Sequence, residues 1–153
     1  VVAKSLILLK AAQELSLPVT ISEQYPKGLG HTVSALATNT AVVKEKLSFS
    51  CWRDDSIKQH FISLHERGRP LVIVAGIEAH VCVLQTCIDL ANAGFGVFAV
   101  SDAMSSRKPE SAALAFERMR AAGVEVVNAE MVVFELLERA GTAAFKALSG
   151  LIR

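Results

Sequence analysis

The sequence predicts an α/β protein built on an open, parallel sheet with helices on both faces. Three observations carry this. Short runs rich in β-branched residues alternate with longer segments whose apolar residues recur about every 3.6 positions. Such alternation implies parallel strands joined by right-handed crossovers. The strand runs are continuously apolar, as in LVIVA at 71–75, which fits burial on both sides. The chain is also 52% hydrophobic with a mean hydropathy of +0.40, an excess that points to covered strands and a buried subunit interface.

The elements follow in order. VVAKSLILLKAAQEL predicts a helix over 1–15, and PVTIS a strand at 18–22. Glu23 to about Ala41 holds Pro26, Gly28 and Gly30 and reads as an irregular loop suited to a site. A weak strand falls near Val42–Val43, then a helix over 55–67 and the strand at 71–75. Gly76 marks a sharp turn into a helix over 79–93. A strand at 96–101, a helix at 109–122, a strand at 124–127 and helices at 130–138 and 141–151 complete the pattern. With 153 residues and no linker or repeat, the chain reads as one domain, 1–153.

Charge and cysteine usage exclude several classes. Sixteen basic residues face fifteen acidic ones, scattered along the chain, so no footprint for nucleic acid is expected. No apolar run reaches the roughly 18 residues of a membrane span. Cys51, Cys82 and Cys87 are an odd count without framework spacing. They read as free thiols in a reducing compartment: the cytoplasm, or the mitochondrion in a eukaryote. The four histidines show no metal spacing, and Gly28-Leu29-Gly30 lacks the third glycine of a dinucleotide fingerprint. Neither metal nor cofactor is expected.

In open parallel sheets ligands sit at the carboxyl ends of strands. Residues just past those ends include Glu23–Gln24, Lys44–Lys46, Gly76–Cys82 and Asp102–Arg107. Cys82 falls in the first turn of a helix, where free backbone N–H groups and the helix dipole favour thiolate over thiol. It reads equally as a small apolar core residue. Cys87, deeper in the helix, reads as core. Lys46 is either a solvated charge or a cation that lowers the pKa of a nearby thiol. Glu78 is a general base or a charge interacting with the helix dipole. His80 is a conceivable dyad partner for Cys82, although such close neighbours usually point apart. His31 could enter the site from the glycine-containing loop. His60 and His65 read as surface residues.

Two motifs carry a family resemblance over essentially the whole chain. KLSFSCW, from Lys46 to Trp52, is similar to K-x-x-[FY]-S-x-[FW], and GIEAHVCV, from Gly76 to Val83, is similar to G-[VI]-x-x-x-x-C-V. Asp89 and the run Val100-Ser101-Asp102-Ala103 follow in the matching order. These resemble the isochorismatase-like cysteine hydrolase superfamily. TISEQYPKGLGHTV, GIEAHVC and SDAMSSR look especially like its isochorismatase-domain-containing proteins.

The resemblance implies a three-layer α/β/α, Rossmann-like fold with a six-stranded parallel sheet. It matches Cys82 to the nucleophile and Lys46 to the lysine that polarises it. It matches Ile77–Glu78 to a cis peptide that aims the N–H groups of Glu78 and Cys82 at an oxyanion. Glu23, Tyr25, Phe49 and Trp52 are the expected substrate-binding positions. The expected chemistry is hydrolysis of a small amide, ester or related substrate through a thioester, by a homo-oligomer.

Two departures qualify this. The family's third catalytic residue is an aspartate ending an apolar first strand, and no such stretch occurs in this sequence. A central strand is therefore expected to precede Val1, because its neighbours otherwise lose hydrogen-bond partners; the alternative is a genuine variant without the general base. The D-x-H metal site of the nicotinamidases is also absent, which disfavours nicotinamide. The alternative functional reading is a catalytically silent scaffold or partner-binding protein. A flavodoxin-like nucleotide binder is disfavoured by the lack of a glycine-rich phosphate loop after a strand.

Overall fold

The computed structural model describes residues 1–152. Helix α1 (Val2–Glu14) leads into strand β1 (Val19–Gln24), a short helix α2 (Pro26–Leu29) and strand β2 (Ala41–Lys46). Helix α3 (Asp55–Glu66), strand β3 (Leu71–Ile77), a π-type turn (Ala79–Val83) and helix α4 (Leu84–Asn92) come next. Strand β4 (Gly96–Ser105), α5 (Pro109–Ala121), β5 (Glu125–Val127), α6 (Ala129–Leu137) and α7 (Ala143–Leu148) close the chain. The alternation matches the α/β expectation, and all strand pairs are parallel.

The helix starts are set locally. Asp54, Asn128 and Thr142 each accept a hydrogen bond from the backbone N–H three residues on, opening α3, α6 and α7. Pro109 opens α5, where its missing N–H costs nothing.

The expected single sheet is divided. β1 pairs with β2 from Val19↔Ala41 to Gln24↔Lys46, while β3, β4 and β5 form a second ladder. Among the described residues no ladder joins β1 to β3. The weak strand at Val42–Val43 is a full six-residue strand because it is paired along its whole length with β1. The helix expected at 141–151 is shorter, running only to Leu148 before a 3-10 turn at Ser149–Leu151.

Three layers result. On one face α4 and α5 bury Leu84, Cys87, Leu90, Ala115 and Met119 against Val97 and Ala99 of β4, with Phe61 of α3 at the margin. On the other face, α1, α6 and α7 enclose Ala11, Val132, Val133, Leu137 and Leu148. Leu90 is wholly buried, so Leu90→Ala removes apolar burial and leaves a cavity. We expect a loss of about 3 kcal/mol, read as a lower urea midpoint at unchanged slope; a loss under about 1 kcal/mol would contradict this packing.

Two backbone features shape the carboxyl ends of the strands. Gly76 has φ 127°, a conformation open to glycine, and the β3–β4 register shifts between Val74 and Gly76. The next peptide bond, Ile77–Glu78, is cis. Tyr25 takes a left-handed conformation (φ 42°) while its N–H still donates to Lys46 O at 2.9 Å. The chain therefore turns sharply away after Gln24.

Candidate active site

Lys46, at the end of β2, is 5% exposed. Its Nζ donates to Gln24 Oε1 at 2.5 Å, Phe49 O at 2.7 Å and Ser48 O at 3.0 Å. Three neutral oxygens thus occupy the three N–H bonds of the ammonium, and none of them cancels its charge. The register that pairs Gln24 with Lys46 makes this contact possible. Gln24 is fixed in turn by its Nε2, which donates to Leu47 O at 2.8 Å.

Cys82 reaches the same oxygen from the other half of the sheet. It lies in the π-type turn after β3, and its Sγ donates to Gln24 Oε1 at 3.7 Å. Gln24 Oε1 therefore joins the Lys46 ammonium and the Cys82 thiol. Burial pushes the Cys82 thiol above its ordinary pKa, opposed first by the Lys46 charge. The helix start does less than the sequence suggests, for a local reason. The N–H groups of Val81 and Val83 both donate to Glu78 O, at 3.1 and 3.3 Å, so those dipoles point at a carbonyl. Burial and the Lys46 charge thus act on the Cys82 proton in opposite senses.

Glu78 is committed elsewhere. Arg107 Nε donates to both of its carboxylate oxygens at 3.0 and 3.2 Å, which holds the carboxyl below its usual range. His80 Nδ1 lies 2.9 Å from Ser106 Oγ and 3.6 Å from Glu78, so the imidazole belongs to this outer cluster. Its conceivable dyad with Cys82 is not formed. The Ile77–Glu78 bond nevertheless brings the Glu78 backbone to the turn that bears Cys82.

The expected substrate-binding residues divide. Tyr25 and Phe49 are half exposed beside the Lys46 loop. Glu23 is buried and turned from Gln24 by the alternation of the strand. Its carboxylate accepts from Thr32 N–H at 2.8 Å and pairs with His31 Nδ1 at 2.7 Å, so it anchors the 24–40 loop. Trp52 packs edge-on against Phe95, with ring centroids 5.6 Å apart, at the opposite end of β4. Asp89 ties the Lys46 loop to α4 through a two-pronged pair with Arg53, at 2.8 and 3.2 Å.

Sequence reasoning places Gln24 at a strand's carboxyl end but gives it no role. A neutral amide after a strand gives no charge or motif signal, and only the register with Lys46 reveals its place. A cavity of about 760 Å³ lies apart from this cluster, at the amino ends of the strands between Leu17, Val42, His60 and Arg67. Among the described residues no group of three or more metal-type ligands converges, and no helix is long and apolar enough to cross a membrane.

The Glu23–His31 pair predicts a pH-dependent loop. Hydrogen bonding from Thr32, then His31, lowers Glu23 from 4.5 to about 2, so its contribution is present above 4.5 and lost as pH falls towards 2. Glu23 raises His31 above 6.5, so that contribution is complete below 6.5 and fades as pH climbs through the raised value. Protease resistance of the 24–40 loop should therefore peak between about 4.5 and 6.5. His31→Ala should remove its alkaline limb; an unchanged profile in that variant would refute the pairing.

A family model for the isochorismatase domain matches residues 1–131. The chain belongs to this family of isochorismatase-like hydrolases. It is 37% identical over 151 residues to the secreted isochorismatase effector Isc1 of Phytophthora sojae, covering 95% of this chain and 71% of that protein. Isochorismatase domain-containing protein 2 of Danio rerio is also 37% identical, over 99% of this chain and 76% of its own length. Among solved structures, the MAR1 ribonuclease of Caenorhabditis elegans superposes with a TM-score of 0.87 at 38% identity, over 98% of this chain and 77% of that one.

Proposed function

We propose that the chain is a cysteine hydrolase of small acyl compounds, with Cys82 as nucleophile. The single observation that carries the reading is the meeting of the Lys46 ammonium and the Cys82 thiol at Gln24 Oε1. The thiol loses its proton, and the sulfur attacks the acyl carbon of an amide or ester. The carbonyl π electrons move onto oxygen, where the N–H groups of Glu78 and Cys82 stabilise the charge. Collapse expels the amine or alcohol, which takes up the proton. Water then hydrolyses the thioester and the thiol is regenerated.

Gln24 accepts a hydrogen bond from the thiol, but a neutral amide is no base. The family resemblance gives the proton-accepting role to an aspartate, and no residue of this sequence matches it. Lys46 favours the thiolate and stabilises the oxyanion. Tyr25 and Phe49 offer an apolar margin for the substrate. We further read the protein as a cytoplasmic homo-oligomer. Three free cysteines support a reducing compartment, and exposed Leu47 and Phe49 of the Lys46 loop support a covered surface.

The name of the nematode neighbour raises RNA as a substrate. The near-balance of sixteen basic and fifteen acidic residues favours a small molecule instead. The test is a panel of small amides, esters and N-carbamoyl compounds, with RNA included. We expect turnover of a small acyl substrate that disappears when Cys82 is carboxamidomethylated. Turnover that survives this block, or turnover of RNA alone, would overturn the proposal.

A further inference from the structure

Cys51 has no part in the hydrolysis proposed above, yet two contacts bring it towards Cys82. The first is through β1. Cys51 Sγ lies 3.4 Å from Ser22 Oγ, and Cys82 Sγ lies 3.7 Å from Gln24 Oε1. Ser22 and Gln24 are two apart on one strand, so their side chains share a face and their Cα atoms are roughly 7 Å apart. The second contact is through α4. Cys51 N–H donates to Thr86 Oγ1 at 2.9 Å, and Thr86 is four residues beyond Cys82. A helical side chain leans over the turn before it, so Thr86 directs Cys51 towards the Cys82 turn. A third observation agrees: charge on Cys51 bears on both Cys82 and Cys87.

The three thiols are unequal. Cys87 is wholly enclosed, and burial pushes its pKa up to about 12, which leaves it inert. Cys82 is partly exposed and has the Lys46 charge beside it. Cys51 is buried, out of reach of bulky reagents, with its sulfur on Ser22 of the strand that also contacts Cys82.

We propose that Cys51 is a resolving thiol, which makes Cys82 a reversible oxidation site. A hydroperoxide delivers one oxygen to the Cys82 sulfur, giving a sulfenic acid and releasing water or an alcohol. The Cys51 thiol then attacks that sulfur, a second water leaves, and a Cys51–Cys82 disulfide forms. Two thiols are oxidised by two electrons and one peroxide is reduced. A disulfide needs Cα atoms within about 4.4–6.8 Å, and the two thiols contact side chains two apart on one face of β1. The bond would remove the nucleophile and protect it from irreversible oxidation. A thiol reductant would restore the site.

This inference rests on Cys82 being the reactive thiol of the proposed function, but its test needs no substrate. The protein is treated with hydrogen peroxide at about pH 8.5, near the ordinary thiol pKa, and followed by intact mass and peptide mapping. The expected product has lost two hydrogens, joins the Cys51 and Cys82 peptides, and returns to the starting mass with dithiothreitol. In Cys51→Ser, Cys82 should instead gain two or three oxygens that dithiothreitol cannot remove. Circular dichroism before treatment establishes that the variant is folded.

Wild type that accumulates the same oxygen-bearing Cys82 would overturn the resolving role while leaving the nucleophile reading intact. A Cys51–Cys87 bridge would also overturn it. A Cys82 that resists both peroxide and iodoacetamide would overturn both readings.

Discussion

Cys82→Ala is expected to abolish hydrolysis, lowering kcat by at least about 10³-fold while the protein stays folded. The side chain is partly exposed at a turn, so its loss leaves little cavity. Cys82→Ser should be almost as inactive. A hydroxyl has the shape of the thiol but is far less acidic, and no strong base touches this position among the described residues. KM should change little in either variant, because a nucleophile acts on the bond rather than on binding. Turnover within about tenfold of wild type in Cys82→Ala would remove the covalent mechanism and favour the silent-scaffold reading.

Lys46→Ala is expected to lower kcat by about 10²–10³-fold, the range for losing one stabilising charge at an oxyanion. It should also raise the Cys82 pKa further, since the Lys46 charge is the largest influence opposing burial there. The two readouts separate roles. The pH profile of iodoacetamide alkylation reports the thiol without any substrate, and kcat reports the oxyanion. Lys46→Met, which keeps the bulk of the stem, distinguishes loss of charge from loss of packing. If alkylation of Lys46→Met followed the wild-type pH profile, Lys46 would have no effect on the sulfur.

Much of this arrangement was legible in the sequence for physical reasons. β3, β4 and α4 are strongly periodic because they are central and buried, and their pattern places Cys82 just past a strand end. The KLSFSCW and GIEAHVC motifs identified Lys46 and Cys82 together. Other features depended on contacts between distant residues. The full six-residue length of β2 is a matter of ladder pairing with β1, on which a local pattern is silent.

Glu23 illustrates the role of alternation. It stands at a strand end, but period-two geometry sends it towards His31 while Gln24 turns to Lys46. Trp52 belongs to a recognisable motif, yet its ring finds Phe95 instead of the site. The place of Cys82 at a helix start favours the thiolate, while burial pushes its pKa the other way.

The central claim is that Cys82 carries the acyl group during turnover. The most direct measurement is rapid acid quench of the protein with a hydrolysed ester or amide, followed by intact mass and peptide mapping. The account predicts a transient acyl adduct on the Cys82 peptide that forms and decays at rates consistent with kcat. Steady turnover with no adduct under single-turnover conditions, or an adduct on Lys46 or Cys51, would contradict it.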